Sequence, residues 1–117
     1  MTATLTEILI DCTDGDRLAA FWCDVLGWKI LDRDEETIEI GDGATKPTLV
    51  FEIVPETKTI KNRIHLDLKA NDGDQDREVE RIIALGARRV DIGQGDVTWV
   101  VLADPEGNEF CVLRGAA

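Results

Sequence analysis

The sequence predicts an α+β fold made of two tandem βαβββ units, and three observations carry that prediction. Short β-rich runs of alternating polarity are broken by turn residues. Two segments instead carry apolar residues at helical spacing. Landmarks also recur along the chain: Glu7 and His65, like Asp14 and Asp72, lie 58 residues apart, and Gly27 and Gly86, like Phe51 and Phe110, lie 59 apart. A nearly constant offset implies a duplicated unit.

Leu5 to Cys12 alternates and reads as the first strand. Asp14 is the expected N-cap of a helix whose apolar face is Leu18, Phe21, Trp22 and Val25, with Gly27 ending it. Three strands follow at Trp28–Asp32, Thr37–Ile40 and Thr48–Val54. A polar connection over Pro55 to Asn62 leads into the second round. Arg63–Lys69 is a strand, and Asp72 is expected to open a helix with Val79, Ile82 and Ile83 inward and Gly86 at its end. Strands over Arg88–Ile92, Thr98–Ala103 and Asn108–Leu113 complete the pattern. The whole chain, 1–117, is expected to form a single domain, with units of about 4–54 and 63–114.

Composition narrows the function classes. The chain is 44% hydrophobic and 32% charged, which fits a folded globular chain and excludes wholesale disorder. A net charge of -11 repels phosphate backbones and anionic lipid, so neither nucleic acid nor membrane is an expected partner. No apolar stretch is long enough to span a bilayer, and the first ten residues lack the basic start of a signal peptide. Three cysteines, Cys12, Cys23 and Cys111, show no short pairing motif; an odd count suggests reduced thiols and a cytoplasmic location.

Each half has one polar strand face. Ile8, Ile10 and Cys12 should pack under the first helix, leaving Glu7, Leu9 and Asp11 on the other side. Ile64, Leu66 and Leu68 should pack under the second, leaving Arg63, His65, Asp67 and Lys69. The last strands behave alike: Leu49, Phe51 and Ile53, and Phe110 and Val112, point to the helices, while Val50, Glu52 and Val54, and Glu109, Cys111 and Leu113, point away. Polar groups in a half-closed cavity need partners, a ligand among them. Simple wet faces fit the alternation equally well.

Several motifs add a resemblance. Asp14, then Leu18-Ala19-Ala20-Phe21-Trp22 and Leu26-Gly27-Trp28, is similar to the first helix and second strand of the vicinal-oxygen-chelate superfamily, the glyoxalase/bleomycin-resistance protein/dioxygenase type. Asp104-Pro105-Glu106-Gly107-Asn108 resembles that superfamily's turn before the last strand. Lys61 to Leu68 resembles the start of the second half in its glyoxalase-like subgroup. The resemblance implies a curved mixed sheet around a central cleft, with strands one and four of each unit side by side. It also implies one divalent metal held by Glu7, Glu52, His65 and Cys111. Metal-binding relatives usually have Glu where this chain has Cys111. Zinc suits a Glu/Glu/His/Cys set best, and a hard octahedral ion suits it poorly. The simpler reading of Cys111 is packing beside Phe110 and Val112, with no metal at all.

Within that frame, Glu52 and His65 are the candidates for moving protons, and Arg63, Asp67, Trp99 and Glu109 are the candidates for contacting substrate. The expected function is a small-molecule-binding protein acting as an enzyme, with lyase or isomerase chemistry on a small oxygenated metabolite. A non-catalytic protein that sequesters a drug or metabolite is the alternative; 5% aromatic residues and no Tyr argue against stacking on a large aromatic drug. A single histidine cannot build a two-histidine iron site, which argues against a ring-cleaving dioxygenase. The Cys at position 111 argues against classical glyoxalase I. Exposed sheet edges, and the habit of relatives, point to a homodimer.

Overall fold

In the computed structural model, residues 1–114 are described. Ten elements run in the order β1 (Glu7–Cys12), α1 (Gly15–Leu26), β2 (Lys29–Arg33), β3 (Thr37–Gly41), β4 (Thr48–Ile53), β5 (Leu66–Leu68), α2 (Gln75–Leu85), β6 (Arg88–Arg89), β7 (Val100–Ala103) and β8 (Glu109–Val112). This is the βαβββ order twice over. The chain divides into two compact units between Thr57 and Lys58. Each unit has its own four-stranded mixed sheet, ordered β1-β4-β3-β2 and β5-β8-β7-β6. The first strand of each unit runs parallel to its last, β1 with β4 and β5 with β8, and the other pairings are antiparallel.

In the first unit, the Asp14 carboxylate accepts from Arg17 N at 3.1 Å, and Gly27 closes α1 in the left-handed region at φ 68. Leu18, Phe21, Trp22 and Val25 are buried, and so are Ile38, Ile40 and Phe51 on the sheet. Phe21 and Trp22 meet edge to face at 5.2 Å. Trp22 is therefore core, as expected, while Trp28 is half-buried.

In the second unit, Val79 and Ile82 of α2 are buried, as are Leu102, Phe110 and Val112. The helix starts later than the sequence spacing suggests. Asp74 is the N-cap, its carboxylate accepting from Arg77 N at 3.1 Å; Asp72 accepts from Asp74 N at 3.0 Å and shapes the turn before the cap. The link from strand to helix is two residues in the first unit and six in the second.

That longer link changes the internal correspondence. Cys12 pairs with Ile53, and Leu68 with Val112. Through the last strands, Leu68 therefore takes the place of Cys12, Asp67 that of Asp11 and Leu66 that of Ile10. The 58-residue offset expected between the first strands is 56 in the register, and His65 itself lies outside β5.

Most expected strands are shorter than their alternation, and hydrogen bonds account for three of them in the second unit. Arg63 to His65 lie outside β5, and Ile64, expected under the helix, is 79% exposed. Asn62 N donates to Glu109 instead of joining a ladder. The sixth strand stops at Arg89, because Ile92 N turns to Gln94 Oε1 and Gly93 N to Asp91 Oδ1. The seventh begins at Val100, since Thr98 O accepts from Gln75 Nε2.

The two aspartates before α2 have separable roles. Asp74→Ala should cost about 1 kcal/mol, the usual loss at an N-cap, and Asp72→Ala less than half of that. Urea denaturation of the two variants checks the order, and a larger loss at Asp72 would return the cap to that residue.

Candidate functional site

The site is built most fully in the second unit, where an irregular segment joins the last strand. Glu109 opens β8 with only 8% of its surface exposed. Its carboxylate accepts from Lys58 Nζ at 3.0 Å and from Asn62 N at 3.2 Å and 3.4 Å. Burial pushes the Glu109 carboxyl upward, but the hydrogen bonds from Lys58 and backbone N–H groups, with the Lys58 charge, leave it below its usual range. Lys58 Nζ also donates to Ile60 O at 2.8 Å.

The turn before β8 supports the same segment. Asp104, fully buried, accepts from Glu106 N, from Asn108 N and from Asn108 Nδ2. Asn108 Oδ1 in turn accepts from Asn62 Nδ2 at 3.2 Å. The Asp-Pro-x-Gly-Asn sequence thus forms a rigid turn whose asparagine reaches across to hold residue 62. Gly107 sits at φ 89, where a side chain would strain the backbone.

Residues 58–62 are held in this way, and His65 follows closely. Its Nε2 lies 3.1 Å from Lys61 Nζ and 3.3 Å from Asn62 O. With Nε2 unprotonated it accepts from Lys61 Nζ, and with Nε2 protonated it donates to Asn62 O, so the tautomer selects one of the two contacts. Beyond it, Asp67 pairs with Cys111 across β5 and β8, and Cys111 pairs with Val101. Paired residues share a sheet face. Cys111 is 5% exposed; burial, then the adjacent Asp67 carboxylate, push its thiol above the ordinary range, partly offset by Lys61.

In the first unit, Asp11 and Glu52 are direct cross-strand partners, and Thr37 lies beside Glu52 on β3. Glu52 is half-buried. Glu7 is exposed and pairs with Thr48, at the far end of the same strand pair. Thr48 itself is buried, its hydroxyl donating to Glu39 Oε2 at 2.6 Å.

The expected metal ligands do not fit one ion. Glu7 and Glu52 stand four register steps apart on β1 and β4, about 13 Å along the strands at about 3.3 Å per residue. Their parity agrees and their level does not. The Cys111 thiol, favoured in its protonated form, is a poor ligand until it loses its proton. Among the described residues, no group of three or more His, Cys, Asp or Glu side chains could hold a metal ion.

The expected ligand contacts scatter. Asp67 lies on β5, and Arg63 is exposed just before it. Trp99 is 40% exposed and precedes β7. Glu109 is engaged by Lys58 and Asn62. The sequence reading missed Lys58, Lys61 and Asn62 as members of the constellation; their segment has no periodicity to place its side chains.

Residues 7–113 match the glyoxalase-like domain family, and the chain belongs to it. It sits within the vicinal-oxygen-chelate superfamily. No curated protein matches it in sequence. Among solved structures, it is similar to a glyoxalase/bleomycin resistance protein/dioxygenase family enzyme from Burkholderia phytofirmans PsJN, at 24% identity and a TM-score of 0.75, covering 94% of this chain and 97% of that one. A glyoxalase-related enzyme from Fulvimarina pelagi shares 18% identity over 95% of this chain and 87% of that one, with a TM-score of 0.68. The fosfomycin resistance protein FosX from Listeria monocytogenes, complexed with Mn(II) and 1S,2S-dihydroxypropylphosphonic acid, shares 16% identity over 99% and 93%, with a TM-score of 0.75. At these identities the likeness shows the fold.

Glu109 has a measurable signature. Its folded-state carboxyl is depressed, so its stabilisation is full above the unfolded value of about 4.3 and is lost as pH falls through the folded value. Lys58→Met should cost about 1–3 kcal/mol at neutral pH by leaving the buried carboxylate short of a partner. The gap from wild type should narrow below about pH 4, as Glu109 protonates. Urea denaturation across pH checks both, and a gap constant with pH would remove the ion pair from the explanation.

Proposed function

We propose that this chain is a small-molecule-binding glyoxalase-like enzyme acting on a small oxygenated metabolite by lyase or isomerase chemistry. Membership of the glyoxalase-like domain family supports binding of a small molecule. The family resemblances to enzymes, including a fosfomycin resistance protein and an oxidase, support catalysis. One observation carries the reading furthest: Asp67 and Cys111 on a sheet face, with His65 and Lys61 beside them, on a segment anchored by Glu109. Anchoring of this kind holds reactive groups in place before a ligand arrives.

In this proposal His65 takes or returns a proton through Nε2, the nitrogen that meets Lys61 Nζ and Asn62 O. Glu52 is the second proton-moving group, a half-buried carboxylate beside Asp11 on the adjacent strand. Arg63, Asp67 and Trp99 contact the ligand, and Glu109 serves it indirectly by fixing the segment. The two units work as a single domain. The donors present do not fit the expected four-ligand metal site, so no step is routed through a metal.

The test is conversion, followed by NMR, of a panel of small epoxides, α-hydroxy ketones and hemithioacetals. Replacing His65 or Glu52 by Gln should reduce any conversion about 10²- to 10⁴-fold, the usual contribution of a general acid or base. Saturable binding of panel members with no conversion would overturn catalysis. The working assembly in this proposal is a C2 homodimer. Support comes from β1 and β5, each at the edge of its sheet, where unpaired backbone groups favour pairing. Light scattering at micromolar concentration should give twice the 13.0 kDa chain mass; a monomer mass would remove the dimer.

A further inference from the structure

We propose that Lys61, Arg63 and His65 form a subsite for a small oxyanion, a carboxylate or a phosphate-type group carried by the ligand. This deepens the functional reading by naming a ligand class and rests on that reading for its biological use. The binding itself can be tested without any reaction.

The argument begins with charge. The chain holds 24 acidic residues against 13 Lys and Arg, so a basic side chain has carboxylates in excess to choose from. Arg33, Lys46, Lys58, Arg77, Arg81 and Arg89 each have a carboxylate partner within 4.0 Å. Lys61 and Arg63 have none among the described residues, and neither do Arg17, Lys29, Lys69, Arg88 and Arg114; what sets Lys61 apart is its contact with the single histidine, on a segment anchored to Glu109. Lys61 Nζ lies instead 3.1 Å from His65 Nε2 and donates to Asn62 O at 3.3 Å. An ammonium so placed has a donor to spare. The carboxylate on the adjoining strand, Asp67, is engaged by the Cys111 thiol.

The segment is also fixed. Asn62 lies between the two cations, and its backbone N donates to buried Glu109 while its side chain donates to Asn108. Lys58 locks the upstream end on the same carboxylate. Two unpaired cations and a ring nitrogen are thus presented on a short anchored stretch, 61–65. Charge-assisted hydrogen bonds to an oxyanion are the strong kind, and prior anchoring lowers the cost of forming them.

His65 is the sole histidine, so its ring proton gives one resolved NMR reporter. Inorganic phosphate, acetate and chloride would be titrated into the full chain at fixed pH and constant ionic strength. A saturable shift with phosphate or acetate, and none with chloride, is expected. The stronger of the two identifies the group. Lys61→Gln and Arg63→Met should each weaken the response roughly three- to tenfold, the range for one charge-assisted contact at an exposed position. Arg17→Met removes the same charge from α1 in the other unit and should leave the response unchanged. Both site residues are exposed, and a retained thermal midpoint would confirm folding of the variants. A linear response, an equal effect of chloride, or equal weakening by Arg17→Met would overturn the subsite. Oxyanion binding without metabolite conversion would keep the subsite and overturn only the catalytic reading.

Discussion

The carboxylate of Glu109 is the constraint on which the second unit's candidate site depends. A carboxylate with so little exposure needs charge and hydrogen bonds around it, or the fold would disfavour its ionised form. Lys58 and Asn62 supply both, and each comes from a segment with no regular structure of its own. The same bonds that satisfy Glu109 therefore order the chain around Lys61 and His65. An electrostatic requirement of the strand becomes the positional precision of the loop.

The fold was legible because its signals are local and redundant. Apolar residues at helical spacing, aspartates ahead of both helices and glycines after them, and alternating strands gave the element order in both halves. Strand length was less legible. Asp91, Gln94 and Gln75 divert backbone groups from the ladder, and no pattern of hydrophobicity records such a bond.

The candidate site was legible in parity and not in level. A strand repeats every two residues, so a displacement of two leaves every side chain on its expected face. The motif spacing makes Glu7 equivalent to His65 by treating Asp72 as the cap, whereas the cap is Asp74. The ladder aligns Leu66 with Ile10 and Asp67 with Asp11, and leaves Arg63 to His65 outside β5. The sequence did hold a better guide: Ile10-Asp11-Cys12 against Leu66-Asp67-Leu68 aligns the two aspartates as the register does. Lys58 and Lys61 had no such guide, since their partners are distant and their segment is aperiodic.

The thiols bear on what kinds of molecule the protein can tolerate. Burial pushes Cys23 upward, reinforced by Asp24, and does the same to Cys111, reinforced by Asp67. Both therefore stay protonated at neutral pH, and a protonated thiol is a weak nucleophile. A reactive carbonyl or epoxide reaching this face meets sulfur in its inert form. At Cys23 and Cys111 an electrophile therefore meets little thiolate.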